Sequence, residues 1–190
     1  MAKKNKLFGI YFSTFISVII SILVLYFIKK VYDKFINNKK INITFFASSK
    51  DNINKEYFEK TKELIARLNE MKDDINIIYG GGKSGLMGEI SKYKGNLISS
   101  NVKKFVDPSI KDEYVYDNIS DRQKKMVDLG DVYIVLPGGY GTHYEILEVL
   151  TINDIGESNK PIIIYNINNF FDDFINYLKD ISSKGFITNS

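Results

Sequence analysis

Asp131-Val132-Tyr133-Ile134-Val135-Leu136-Pro137-Gly138-Gly139-Tyr140-Gly141-Thr142 is the stretch on which the fold turns. The run from Asp131 to Leu136 is apolar after its first residue and rich in β-branched side chains, which predicts a buried strand. Pro137-Gly138-Gly139 ends that strand. A helical pattern then runs from about Thr142 to Ile155, and Gly156 stops it.

Outward from this unit the same alternation recurs. Ile75 to Tyr79 predicts a strand, followed by the loop Gly80-Gly81-Gly82-Lys83-Ser84-Gly85 and a short helix near Leu86 to Lys92. Ile41 to Ala47 predicts the first strand. The helix after it, Asn54 to Met71, carries Tyr57, Phe58, Leu64, Ile65, Leu68 and Met71 at helical spacing. Asn96 to Ser100 and Tyr114 to Tyr116 are further strands, with a helix from Ser120 to Leu129; Ile162 to Tyr165 and a helix from Phe170 to Ser182 close the series. Strands separated by helices imply parallel crossovers. The prediction is therefore a three-layer α/β domain over residues 41–190, with ligands at the carboxyl ends of its strands.

Composition narrows the chemistry. The 190 residues include no Cys and one His, which excludes disulfides and thiolate zinc sites and leaves little for a histidine metal site, so no metal is expected. The 26 basic and 23 acidic groups give a net charge of +3. Lys3, Lys4 and Lys6 are the only charges before residue 29, so the remaining 23 basic groups balance the 23 acidic ones. A surplus of cations to meet phosphates is missing, and nucleic acid is not an expected partner.

Residues 7–28 are uncharged and rich in Ile, Phe, Leu and Val, a run long enough to cross roughly 30 Å of hydrocarbon as a helix. The sequence thus predicts an N-terminal transmembrane anchor in residues 1–28, a basic linker in 29–40 and a single-pass membrane protein. Lys29, Lys30, Lys34, Lys39 and Lys40 after the span outnumber the three lysines before it, which places the following domain in the cytosol. Gly9, Ser13, Ser17 and Ser21 align small residues on one face of that helix.

Both glycine loops join a strand to a helix, where bare backbone N–H groups and a helix N-terminus suit a phosphate. The first contains G-x-G-x-x-G, yet Ser99-Ser100-Asn101 stands where a dinucleotide site needs an acidic residue. A P-loop is also excluded, because Ile77 occupies the position of its first glycine. Gly81, Gly82, Gly138, Gly139, Tyr140, Gly141 and Thr142 remain candidate phosphate contacts; the alternative is a turn that needs glycine for its geometry alone. Glu145 and Glu148 lie at i and i+3 behind the second loop, either as site carboxylates or as acids favourable at a helix start. Ser48, just past the first strand, is a further candidate. The chain has two arginines. Arg67 falls on an amphipathic helix among charged neighbours, whereas Arg122 opens a helix beside the expected cleft and suits bidentate phosphate contact.

Tyr79-Gly80-Gly81-Gly82-Lys83-Ser84-Gly85-Leu86-Met87-Gly88, Arg122, and Pro137-Gly138-Gly139-Tyr140-Gly141-Thr142-His143-Tyr144-Glu145 together resemble the Lonely Guy family of phosphoribohydrolases. The resemblance covers about residues 41–187. It implies a Rossmann-like homodimer, with no cofactor, that hydrolyses the N-glycosidic bond of nucleoside 5′-monophosphates such as cytokinin riboside monophosphates or AMP. The family's older lysine decarboxylase label is not carried over. By the resemblance Arg122 and Glu145 are the catalytic pair, the Gly139 to Glu145 loop contacts substrate, and Thr151 is a further contact. Gln123, also a candidate substrate contact, stands where the family has lysine; Ile119-Ser120 replaces Met-His, and His143-Tyr144 replaces Leu-Glu. A non-catalytic nucleotide or cofactor carrier of the same fold is the alternative, since such carriers also show a PGGxGT-type loop.

Overall fold

The computed structural model describes residues 40–108 and 113–188. Ile41–Ser190 is one compact unit. In chain order its elements are β1 (Ile41–Phe46), α1 (Lys55–Glu70), β2 (Ile75–Tyr79), α2 (Gly85–Ile90), β3 (Asn96–Val102), β4 (Glu113–Tyr116), α3 (Ile119–Leu129), β5 (Val132–Val135), α4 (Tyr140–Asp154), β6 (Ile162–Ile164) and α5 (Asp172–Ser183). The six strands form one sheet in the order β4-β3-β2-β1-β5-β6, every pair parallel. This is the predicted Rossmann-like, three-layer α/β fold.

The two layers of core follow from strand alternation. Ile43 and Phe45 of β1, Ile77 and Tyr79 of β2, and Ile134 of β5 face one side, where Ile65 of α1 and Leu86 and Ile90 of α2 cover them. Phe46, Ile78, Tyr133 and Val135 face the other side, under Met126 and Val127 of α3 and Ile146 and Val149 of α4. All of β5 is buried, as its unbroken apolar run requires.

Asparagines line the amino ends of three adjacent strands. At the amino ends, Asn96 donates to Asn76 Oδ1 at 3.0 Å, Asn76 donates to Asn42 Oδ1 at 2.8 Å, and Asn42 donates to the Leu129 carbonyl at 2.8 Å. The register that places Asn42 beside Asn76 and Asn76 beside Asn96 makes this ladder possible. At the carboxyl ends the chain leaves β1 toward one edge of the sheet and β5 toward the other. That reversal opens a crevice between their ends, the usual ligand position in such a sheet.

Two sequence expectations change. β3 runs on to Val102, because Ser99, Ser100, Asn101 and Val102 pair with β4. The expected single-pass membrane location, with its cytosolic catalytic domain, is corrected: among the described residues no helix is long and apolar enough to cross a membrane. The longest, α1, has 16 residues and is amphipathic, short of the roughly 20 apolar residues a span requires. The expected anchor at 7–28 and the expected linker at 29–40, apart from its last residue, lie outside the described residues.

Candidate active site

Three loops meet at the crevice, and backbone hydrogen bonds join them. The Ser48 N–H donates to the Pro137 carbonyl at 3.2 Å, and the Met87 N–H donates to the Ser48 carbonyl at 3.1 Å. The Gly85 N–H donates to Asp51 Oδ1 at 2.7 Å. Gly85 has φ of 62°, and a Cβ there would lie 2.6 Å from the backbone of residues 48–50. Only glycine fits that approach.

Arg122 reaches the crevice from the first turn of α3, a helix started by Asn118, whose side chain accepts from the Asp121 N–H. Its Nε donates to the Ser100 carbonyl at 2.9 Å, and its Nη1 donates to Glu145 Oε1 at 2.6 Å. The two side chains are 12% and 9% exposed, so the pair is largely shielded from water. A Cβ on Gly80 would fall 2.2 Å from Arg122 Nη2, so the bare backbone of the first glycine loop is what lets the guanidinium lie there. Burial pushes the Glu145 carboxyl above the usual carboxylate range, while Arg122 pulls it down and Glu148 adds a smaller upward push.

Two cavities share Ser49, Met87 and Arg122. One, of about 330 Å³, is lined by Ser48, Gly139, Tyr140, Gly141, Thr142 and Glu145. The other, of about 360 Å³, is lined by Gly80, Gly82, Lys83, Asn101, Phe105 and Ile119. Lys83 pairs with Asp107 at 3.2 Å beside it. α4 begins at the first cavity with Gly139 as its N-cap and no side chain bonded to its first N–H groups. Those donors and the positive end of the helix suit an anion.

The structure thus brings together Ser48, Gly82, Arg122, Gly139, Tyr140, Gly141, Thr142 and Glu145. Gly81 is buried in the first loop with φ of 74°, and Gly138 lies under the Thr142 side chain. Gln123 is fully buried and its Oε1 accepts from Arg122 Nη1 at 3.3 Å, so it touches the pair but lines neither cavity. Glu148 lines a separate groove between α3 and α4. Thr151 lies further down α4, exposed, with its hydroxyl donating to the Leu147 carbonyl at 2.7 Å, and it lines neither cavity. His143 points to the core: its ring packs edge-on to Phe174 at 5.3 Å, and Nδ1 lies 2.9 Å from the Gly139 carbonyl. Arg67 is exposed, as its neighbours imply.

Sequence reasoning missed Ser49, Met87 and Asn101 as cavity residues and the Ser100 carbonyl as a partner of Arg122. The signal was available in Ser99-Ser100-Asn101, a polar strand end that is almost fully buried. Buried polar residues at the carboxyl end of a parallel strand point toward a site.

A family model described as "Possible lysine decarboxylase" matches residues 78–190. A rice (Oryza sativa subsp. japonica) protein named "Probable cytokinin riboside 5'-monophosphate phosphoribohydrolase" is 34% identical over 138 residues, covering 68% of this chain and 63% of its own length. An Arabidopsis thaliana protein named cytokinin riboside 5'-monophosphate phosphoribohydrolase is 30% identical over 157 residues, covering 78% of this chain and 73% of its own. The chain thus spans under two thirds of the rice relative and somewhat more of the other. Among solved structures, the Moco carrier protein of Chlamydomonas aligns with a TM-score of 0.56 at 18% identity, covering 74% of this chain and 84% of that one, which shows a shared fold.

Proposed function

Because the chain belongs to the Lonely Guy phosphoribohydrolase family, we propose that it hydrolyses the N-glycosidic bond of a nucleoside 5′-monophosphate to free base and ribose 5-phosphate. The relatives' names supply the reaction, and cytokinin riboside monophosphates and AMP are the substrates to test. One observation carries the reading to this chain: the buried Arg122–Glu145 pair at 2.6 Å lies at the junction of two cavities, one of them opening on the uncapped start of α4.

In the reaction the bond between C1′ and the base nitrogen breaks with its electron pair leaving on the base, and a water oxygen bonds to C1′. One water proton stays on the new hydroxyl and the other ends on the base. Positive charge develops on C1′ and the ring oxygen as the bond breaks, and a carboxylate in a dry cleft stabilises it. Glu145 has that position. Arg122 holds the carboxylate in place and meets phosphate or ribose oxygens, while the N–H groups from Gly139 to Thr142 receive the phosphate.

Lysine decarboxylation, suggested only by the family description, has no such support, and the carrier reading rests on a fold shared at 18% identity. The working form is a homodimer. Tyr140, Tyr144 and Leu147 are 98%, 44% and 47% exposed and follow one another along α4 at helical spacing, an apolar stripe that supports pairing.

The test is to incubate the purified chain with AMP and with isopentenyladenosine monophosphate and to quantify products by chromatography. Free base and ribose 5-phosphate in equal amounts from at least one substrate are expected; neither product from either would defeat the reading.

A further inference from the structure

Gln123 has no exposed surface, and its Nε2 has no hydrogen-bond partner. A buried amide with an unsatisfied donor costs its full desolvation, and an apolar side chain of the same shape would avoid that cost. The amide is therefore informative. Its Oε1 must face Arg122, because a guanidinium offers only donors, and the nitrogen that donates to it is Nη1, which also donates to Glu145 Oε1. Nε2 then points away from the pair. On α4, Glu148 Oε2 is likewise buried with no hydrogen-bond partner, and the Gln123 amide pulls the pKa of that carboxyl down.

We propose that Gln123 is a positioning residue whose amide aims the Arg122 guanidinium at Glu145 and is itself oriented by Glu148, so that a carboxylate outside the cleft governs the pair inside it. An ionised Glu148 attracts the Nε2 donor and keeps Oε1 on Arg122. A protonated Glu148 offers a donor, which favours the flipped amide and sets Nε2 against the donors of Arg122. Burial raises the Glu148 carboxyl, the Gln123 amide lowers it and Asp128 raises it. Asp121, Lys124 and Asp128 of α3, Tyr133 of β5, and Glu157 and Lys160 of the α4–β6 connection are the other titratable groups around it, with Glu145 one turn back on its own helix.

The inference rests on the hydrolase reading for its effect on turnover, but the geometry has a readout of its own. The chain contains two arginines, so a spectrum of the full chain labelled with 15N at arginine has two Nε–H signals, with the exposed Arg67 on α1 as internal control. The wild-type Arg122 signal is expected to shift in two acid steps, one with Glu145 and one with Glu148. Glu148→Gln, whose amide oxygen can still face Nε2, should lose one step and keep the other. Glu148→Leu and Gln123→Met should each move the Arg122 signal and lower kcat about tenfold with KM changed less, as expected of a misaligned group. An Arg122 titration in Glu148→Gln identical to wild type, or an Arg122 signal unmoved in Gln123→Met, would overturn the proposal. If the wild type releases no base, the hydrolase reading fails, and the spectrum still decides the positioning.

Discussion

The two ends of the one parallel sheet use polar residues in opposite ways. At the amino ends Asn42, Asn76 and Asn96 are neutral and satisfy one another across three strands. At the carboxyl ends a charged pair is buried among polar groups that are only partly satisfied: Arg122 serves both Glu145 and Gln123 through one nitrogen, and α4 starts without a side-chain cap. A satisfied ladder lowers free energy and offers nothing to a ligand. The opposite end keeps donors and charge available, which is the arrangement a transition state with developing charge requires.

The comparison breaks most visibly at the carboxyl end. Arg122→Ala should lower turnover by about 10²–10³-fold, the scale for removing one charged stabiliser, while far-UV circular dichroism stays native; activity within a few-fold of wild type would remove Arg122 from the site. Next is Gly80→Ala, whose Cβ would meet Arg122 Nη2 at 2.2 Å. Displacing the guanidinium should cost on the order of 10²-fold in kcat. Gly139→Ala, with nothing within 4 Å of its Cβ, serves as the contrasting variant in the same assay and should change far less.

At the amino end the expected effect moves from rate to stability. Asn76→Ala breaks both of its rungs and should cost roughly 1–2 kcal/mol in urea denaturation, with kcat and KM unchanged in the folded protein. A loss of turnover there would blur the division between the two ends. The smallest effect concerns Glu148. Its raised carboxyl means that the folded chain holds this proton more tightly than the unfolded chain, so its contribution is full below the ordinary Glu range and is lost as pH rises through the folded-state value. Glu148→Gln should therefore gain thermal stability over wild type on going from pH 4 to pH 8, by roughly one or two degrees. An equal difference at both pH values would deny the raised carboxyl.

The sequence made the fold legible wherever a strand was both apolar and bounded by glycine. Val132 to Val135 and Ile75 to Tyr79 appear where their patterns place them. The sequence pattern ends β3 at Ser100, two residues early, because Asn101 is polar and the pairing of Asn101 and Val102 comes from β4, a contact distant in sequence. Within the site, the glycine loops, Arg122 and Glu145 could be read from type and order. Thr151 could not be placed, since helical phase alone turns it out of the cavities toward solvent. Met87 and the Ser100 carbonyl were invisible for a different reason: one acts by shape and the other by its backbone, and neither leaves a mark in residue type.

The division between the two ends is tested most directly by the turnover of Glu145→Gln against wild type at equal folded fraction, with base release from AMP and from isopentenyladenosine monophosphate as the readout. The amide keeps the shape of the side chain and removes the charge proposed to stabilise the developing cation. The expected result is a native, soluble variant with base release reduced by about 10²-fold or more. Release near the wild-type rate would contradict the assignment of the chemistry to the Arg122–Glu145 pair.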